Sequence, residues 1–137
     1  MRLAIPTSDD LFPMFLKFHA QCGDCGYTIK QSMVLVTQAL QDPYQLVIGA
    51  RTATPTTGEE HWVSYIWCQV QDGVGYILQA WSCDREATKM LIPYAEEWLK
   101  QRGCFIIRAG VSRKWLRALE KKWGYVAKMT TVEKRLT

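Results

Sequence analysis

Arg85 and Lys89 stand four residues apart at the head of a helix-like run, directly after an apolar, strand-like run that ends at Ser82. A helix start offers unpaired N–H groups and the positive end of a dipole, so cations there point to an anion, phosphate above all. The intervening stretch "WSCDREATKM" contains no glycine, the residue that lets backbone approach a phosphate closely. Glu86, in the same first turn, already supplies a negative charge to the dipole and partly neutralises such a site. Gln79 and Ser82 are the polar residues of the preceding strand, able to hydrogen-bond a carbonyl or an amide. Glu60 and His61 open the strand before it, and Tyr65 and Gln69 are its polar members.

Two other groups could do chemistry. His19, Cys22 and Cys25 have the spacing of half a zinc site, but no second pair closes a tetrahedral shell, so no metal is expected. Glu120 is a carboxylate in a later helix-like run. A carboxyl group holds its proton at neutral pH only where burial disfavours the charge, and Arg117 and Lys121 beside it act in the opposite sense.

These residues must be positioned by elements that the pattern predicts in order. "RLAIPT" (2–7) reads as a first strand, and Ser8 or Asp9 caps a helix whose Leu11, Phe15 and Phe18 share one face, with Pro13 in its first turn. After a glycine-bearing loop at 22–26, Thr28 and Gln31 form a capping box for a second helix, with Ile29, Met33, Val36 and Leu40 as its stripe. Strands follow at 44–51, 61–70 and 74–82, the last two joined by the tight turn of Asp72-Gly73. A long helix runs from Asp84 to Arg102 and stops at Gly103, and "CFIIRAGV" is an interior strand. Ser112 caps a shorter helix that buries Trp115, Leu116, Leu119 and Trp123, and "YVAKMTTVEKRL" forms a last extended segment. The order is β-α-α-β-β-β-α-β-α-β: an α/β (α+β) domain over 1–137, with a mixed, mostly antiparallel sheet and helices on both faces. The β-α-β step from 76–82 to 104–109 requires one parallel pair through a right-handed crossover.

The bulk numbers agree with one domain: 137 residues, 48% hydrophobic and 22% charged. No apolar stretch reaches the roughly 20 residues that cross a bilayer, and the N-terminus resembles no secretion signal, so a soluble, cytoplasmic protein without membrane partners is expected. Five cysteines without framework spacing are read as reduced thiols. Residues 1–99 carry 6 Lys and Arg against 11 Asp and Glu, and residues 100–137 carry 11 against 2. That basic end suits cofactor phosphates, an acidic partner, or nucleic acid met through Arg113, Lys114, Arg117, Lys121 and Lys122.

The element order, with "AEEWLKQRGC" closing the long helix and "LEKKWGY" closing the next, resembles the GCN5-related N-acetyltransferase family over essentially the whole chain. The resemblance implies transfer of an acetyl group from acetyl-CoA to an amine on a small molecule or protein. It also implies that the fourth strand, with Ala80, Trp81 and Ser82, lines the pantetheine arm. The family's R/Q-x-x-G-x-G/A diphosphate loop falls on residues 83–88, where Cys83, Glu86 and Thr88 replace its key positions. Arg85, Glu86, Ala87, Thr88 and Lys89 are then the residues at the diphosphate. The family's catalytic tyrosine falls on Glu120 and its asparagine on Arg113. The alternative reading is a catalytically inactive binding or structural module using the basic surface. Similar short chains are encoded by bacteriophages, some as virion components.

Overall fold

The computed structural model describes residues 1–22, 27–110, 120–128 and 131–136. The elements are β1 (Arg2–Ala4), α1 (Ser8–Cys22), α2 (Ile29–Ala39), β2 (Gln45–Ala53), β3 (Glu60–Gln71), β4 (Val74–Ser82), α3 (Arg85–Gln101), β5 (Ile106–Gly110), β6 (Val126–Lys128) and β7 (Thr131–Arg135). Residues 120–123 are helical; the remainder of the predicted helix from Ser112 lies outside the described residues. One sheet carries the strands in the order β1-β2-β3-β4-β5-β7-β6, antiparallel except for β4 and β5. The mixed, mostly antiparallel sheet is therefore the one the sequence predicts.

Local chemistry accounts for the boundaries. Thr28 and Gln31 form the reciprocal capping box of α2, with Gln31 N donating to Thr28 Oγ1 at 3.1 Å and Thr28 N to Gln31 Oε1 at 2.9 Å. The α1 cap lies one residue earlier than expected: Thr7 N and Oγ1 donate to Asp10 Oδ2 at 2.8 and 2.9 Å, and Pro13 consequently sits in the second turn. Asp72 and Gly73 both adopt positive φ, 53° and 75°, which matches the twist of the β3–β4 hairpin.

The final segment differs from its sequence reading. It is two strands, β6 and β7, paired antiparallel, and β7 inserts between β5 and β6. No glycine, proline or asparagine marks a reversal between Lys128 and Thr131, so the sequence carried no turn signal there.

Helices α1 and α2 cover one face and α3 the other. Leu11, Phe15, Phe18 and Val36 pack with Val47, Tyr65, Trp67 and Trp81. On the opposite face Leu91, Ile92, Ala95 and Leu99 pack with Leu46, Ile48, Ile66, Cys68 and Ile77. The two sets alternate from Leu46 to Ile48 in β2 and from Tyr65 to Cys68 in β3, as side chains of a pleated strand do.

β4 breaks that alternation. Trp67 pairs with Gln79 and Cys68 with Ile77, so Leu78 is an extra residue, a β-bulge. Ahead of it, Gly75 and Ile77 face α3, and a Cβ on Gly75 would lie 2.8 Å from Leu99 Cδ1. Behind it, Gln79 and Trp81 face α2 and α1. An unbulged strand would have kept all four on one face.

Candidate active site

The bulge coincides with the end of the parallel pairing. β5 follows β4 from Val74↔Ile106 to Ile77↔Ala109, while β3 stays paired with β4 as far as Ser82. From Leu78 to Ser82, β4 therefore has no second strand partner among the described residues. Its backbone alternates in direction, so about half of the N–H and C=O groups of this stretch face an open edge. Such an edge can accept an extended, amide-bearing chain as an added strand.

The stretch is anchored from behind by a buried polar chain. Tyr65 OH donates to Gln79 Oε1 at 3.2 Å, and Gln79 Nε2 donates to Ser32 Oγ of α2 at 3.0 Å. All three side chains are buried, Gln79 at 3% exposure. Burial pushes the Tyr65 phenol well above its ordinary value, so it serves here as a neutral donor. Ser32 was not among the residues picked from the sequence. It is 47 positions from Gln79 and lies in an unremarkable stretch of helix.

The turn into α3 is closed on itself. Ser82 Oγ donates to Asp84 O at 2.9 Å and accepts from Thr88 Oγ1 at 2.8 Å. Cys83 N donates to Val63 O at 2.9 Å, tying the turn to β3. Asp84, extended at φ −141° and ψ 123°, caps the helix: its Oδ1 accepts from Glu86 N at 2.8 Å and Ala87 N at 3.1 Å. Thr88 N bonds back to Asp84 O, the first helical bond. Two of the N–H groups that a helix terminus would offer to a phosphate thus already hold a carboxylate. Lys89 Nζ is paired with Glu86 Oε1 at 3.0 Å, while Arg85 is exposed, with no hydrogen bond or ion pair to the described residues. A second anion about 4 Å from the Asp84 carboxylate would meet a repulsion of about 4 kcal/mol at an effective dielectric of 20.

The other predicted positions are dispersed. Ala80 is half-buried toward the α3 core, and Trp81 is buried against α1, its ring edge-on to Phe18 and 5.4 Å from Lys17 Nζ. Glu120 is exposed at the start of the helical residues 120–123. Glu60 is engaged with Arg2 at 2.9 Å, which holds its carboxyl below the usual range. His61 Nδ1 lies 3.4 Å from Thr54 Oγ1. Cys25, Arg113, Lys114 and Arg117 lie outside the described residues, as does the side chain of Cys22. Among the described residues no three His, Cys, Asp or Glu side chains gather as metal ligands, and no helix is long and apolar enough to cross a membrane.

No protein-family model and no curated protein matches this chain. Solved structures do. A ribosomal-protein-alanine N-acetyltransferase from Brucella melitensis superposes with a TM-score of 0.72 at 13% identity, covering 99% of this chain and 100% of that one. The PaiA N-acetyltransferase from Thermoplasma acidophilum, in complex with coenzyme A, gives 0.66 at 14% identity, covering 98% of each chain. An aminoglycoside 6'-N-acetyltransferase from Acinetobacter haemolyticus gives 0.66 at 17%, covering 93% of this chain and 92% of that one. The chain has the GCN5-related N-acetyltransferase fold.

Proposed function

We propose that this chain is an acyltransferase that moves an acetyl group from a thioester of the acetyl-CoA type to an amine. The observation that carries the reading is the one-sided stretch of β4 from Leu78 to Ser82, opened by the bulge at Leu78. Its free backbone groups fit the two amides of a pantetheine arm, and an N–H on that edge can polarise the thioester carbonyl. The amine nitrogen attacks that carbonyl carbon, the C–N bond forms, the C–S bond breaks, and the proton that the nitrogen sheds in becoming an amide ends on the leaving thiolate to give the thiol.

β4 and β5 contain no histidine or carboxylate, and in this reading the ammonium proton is lost to water before attack. Catalysis then rests on orientation and carbonyl polarisation, which need few particular side chains. The acceptor is an amine on a small molecule or protein, met in the cytoplasm where acetyl-CoA is available. The test is thiol release from acetyl-CoA over a panel of amines, with a thermal shift at millimolar acetyl-CoA in low salt. Turnover on one amine supports the reading; no shift and no thiol release with any amine would sink it.

The Asp84 cap favours a second reading, a binding or structural module without catalysis, because the diphosphate end of the cleft is satisfied internally. Lys121, Lys122 and Arg135 are exposed and suit an acidic partner or nucleic acid, as in a virion-associated phage protein. This reading expects no turnover and a partner affinity that falls steeply with salt. Salt-independent binding would remove it.

A further inference from the structure

The one-sided stretch of β4 and the turn beside it make opposite demands on a donor molecule. From Leu78 to Ser82 the β4 edge is unpaired among the described residues, whereas the start of α3 holds an anion of the protein's own. Resting on the acyltransferase reading, we infer that Asp84 is a specificity residue: it takes the place of the donor's diphosphate at α3. The donor is then held through its pantetheine arm, and thioesters that end before the diphosphate are accepted as well as acetyl-CoA.

Three features converge on this. Asp84 Oδ1 accepts from both Glu86 N and Ala87 N, and a phosphate could use those donors only by displacing the carboxylate. Displacement gives up the cap of a 17-residue helix whose buried face forms much of the α3-side core. Glu86 engages Lys89, so of the two cations at this turn only Arg85 is uncommitted among the described residues. Ser82 and Thr88 bond to each other and to Asp84 O, which leaves the hydroxyls of the turn engaged too.

Isothermal titration at low salt, with acetyl-CoA and with S-acetyl-pantetheine, which carries no phosphate, tests the assignment. For the wild-type chain the two dissociation constants should agree within about threefold, since the diphosphate adds no net contact. Asp84→Gly frees the two N–H groups and should tighten acetyl-CoA by about tenfold or more while leaving S-acetyl-pantetheine unchanged. Asp84→Asn keeps a capping side chain without the charge, so it controls for loss of the helix and should fall between.

A wild-type preference for acetyl-CoA of about thirtyfold or more, or an Asp84→Gly variant that folds and gains nothing, overturns the inference and leaves the acyltransferase reading standing. If wild type binds neither thioester but Asp84→Gly binds acetyl-CoA, the acyltransferase reading falls and Asp84 stands as the group that fills the phosphate seat. If neither chain binds either compound, both are overturned.

Discussion

From Val74 to Ile77, β4 has a strand on either side and Gly75 pressed against Leu99, whereas from Leu78 to Ser82 its only strand partner among the described residues is β3. The first half is tied into the α3 core through apolar contacts. The second faces α1 and α2 and is held by hydrogen bonds between Tyr65, Gln79 and Ser32. One inserted residue separates the two. The contrast is one of pairing: the first half of β4 has strands on both edges, and the second, among the described residues, has β3 on one edge only.

The contrast breaks most visibly in the first half. Leu99→Ala removes a fully buried side chain from against Gly75 and should cost about 2–5 kcal/mol in urea unfolding, the range for cavities that collapse only in part. In the second half, Gln79→Leu keeps the volume but strands two buried hydroxyls, and should cost about 1–3 kcal/mol. Adding Tyr65→Phe and Ser32→Ala to Gln79→Leu should recover much of that loss, because no buried polar group is then left unpaired. A triple variant no better than Gln79→Leu would mean that these hydrogen bonds do not hold the second half in place.

Alkaline titration reads both halves in one experiment. Cys68, opposite Ile77, is buried, and burial first, then the Cys104 thiol, pushes its pKa up; burial raises Cys104 as well. Tyr65, opposite Trp81 in the second half, is raised by burial and then by Cys68. Tyr125, near Glu96 in the α3 core, is also raised. The folded state thus keeps protons that the unfolded chain gives up. Stability is fully present below about pH 8.5, where unfolded thiols are still protonated, and falls by about 1.4 kcal/mol per pH unit for each group above its unfolded pKa. The slope should begin with the thiols and steepen near pH 10, where unfolded tyrosines ionise. Cys68→Ala should weaken the first part most and the second less, since burial is the larger cause of the tyrosine shifts and Cys68 the smaller. A stability flat to pH 11 would contradict both.

Much of the scaffold was legible before any coordinates. Helical periodicity located α1, α2 and α3, the T-x-x-Q pattern gave the α2 cap, and Asp72-Gly73 gave the hairpin, because each is set by contacts within a few residues. The face switch in β4 was not legible. Counted by twos along "VGYILQAWS", Gly75, Ile77, Gln79 and Trp81 fall on one face, although the bulge at Leu78 divides them. A bulge is decided by what packs on either side, here Leu99 and Ser32, and no local pattern encodes that. Asp84 was visible as a helix-starting residue, but its place beside the stretch of β4 that is unpaired among the described residues depends on strand pairing that no local pattern encodes.

The smallest effect compares the starts of two helices. Thr28→Ala and Asp84→Ala each remove a cap and should cost about 1 kcal/mol, within a range of about 0.5–2 kcal/mol, because each side chain satisfies N–H groups of its first turn. Asp84→Asn should cost only the charge–dipole part, about 0.3–1 kcal/mol, and that loss should shrink with added salt; Thr28→Asn carries no such salt dependence. The two starts separate when millimolar acetyl-CoA is added. A ligand raises the melting temperature in proportion to its occupancy of the folded state, so variants at Asp84 should respond more than wild type and those at Thr28 should not. Equal responses at the two caps would make Asp84 a helix cap like Thr28, and the turn between β4 and α3 would lose its separate role in donor selection.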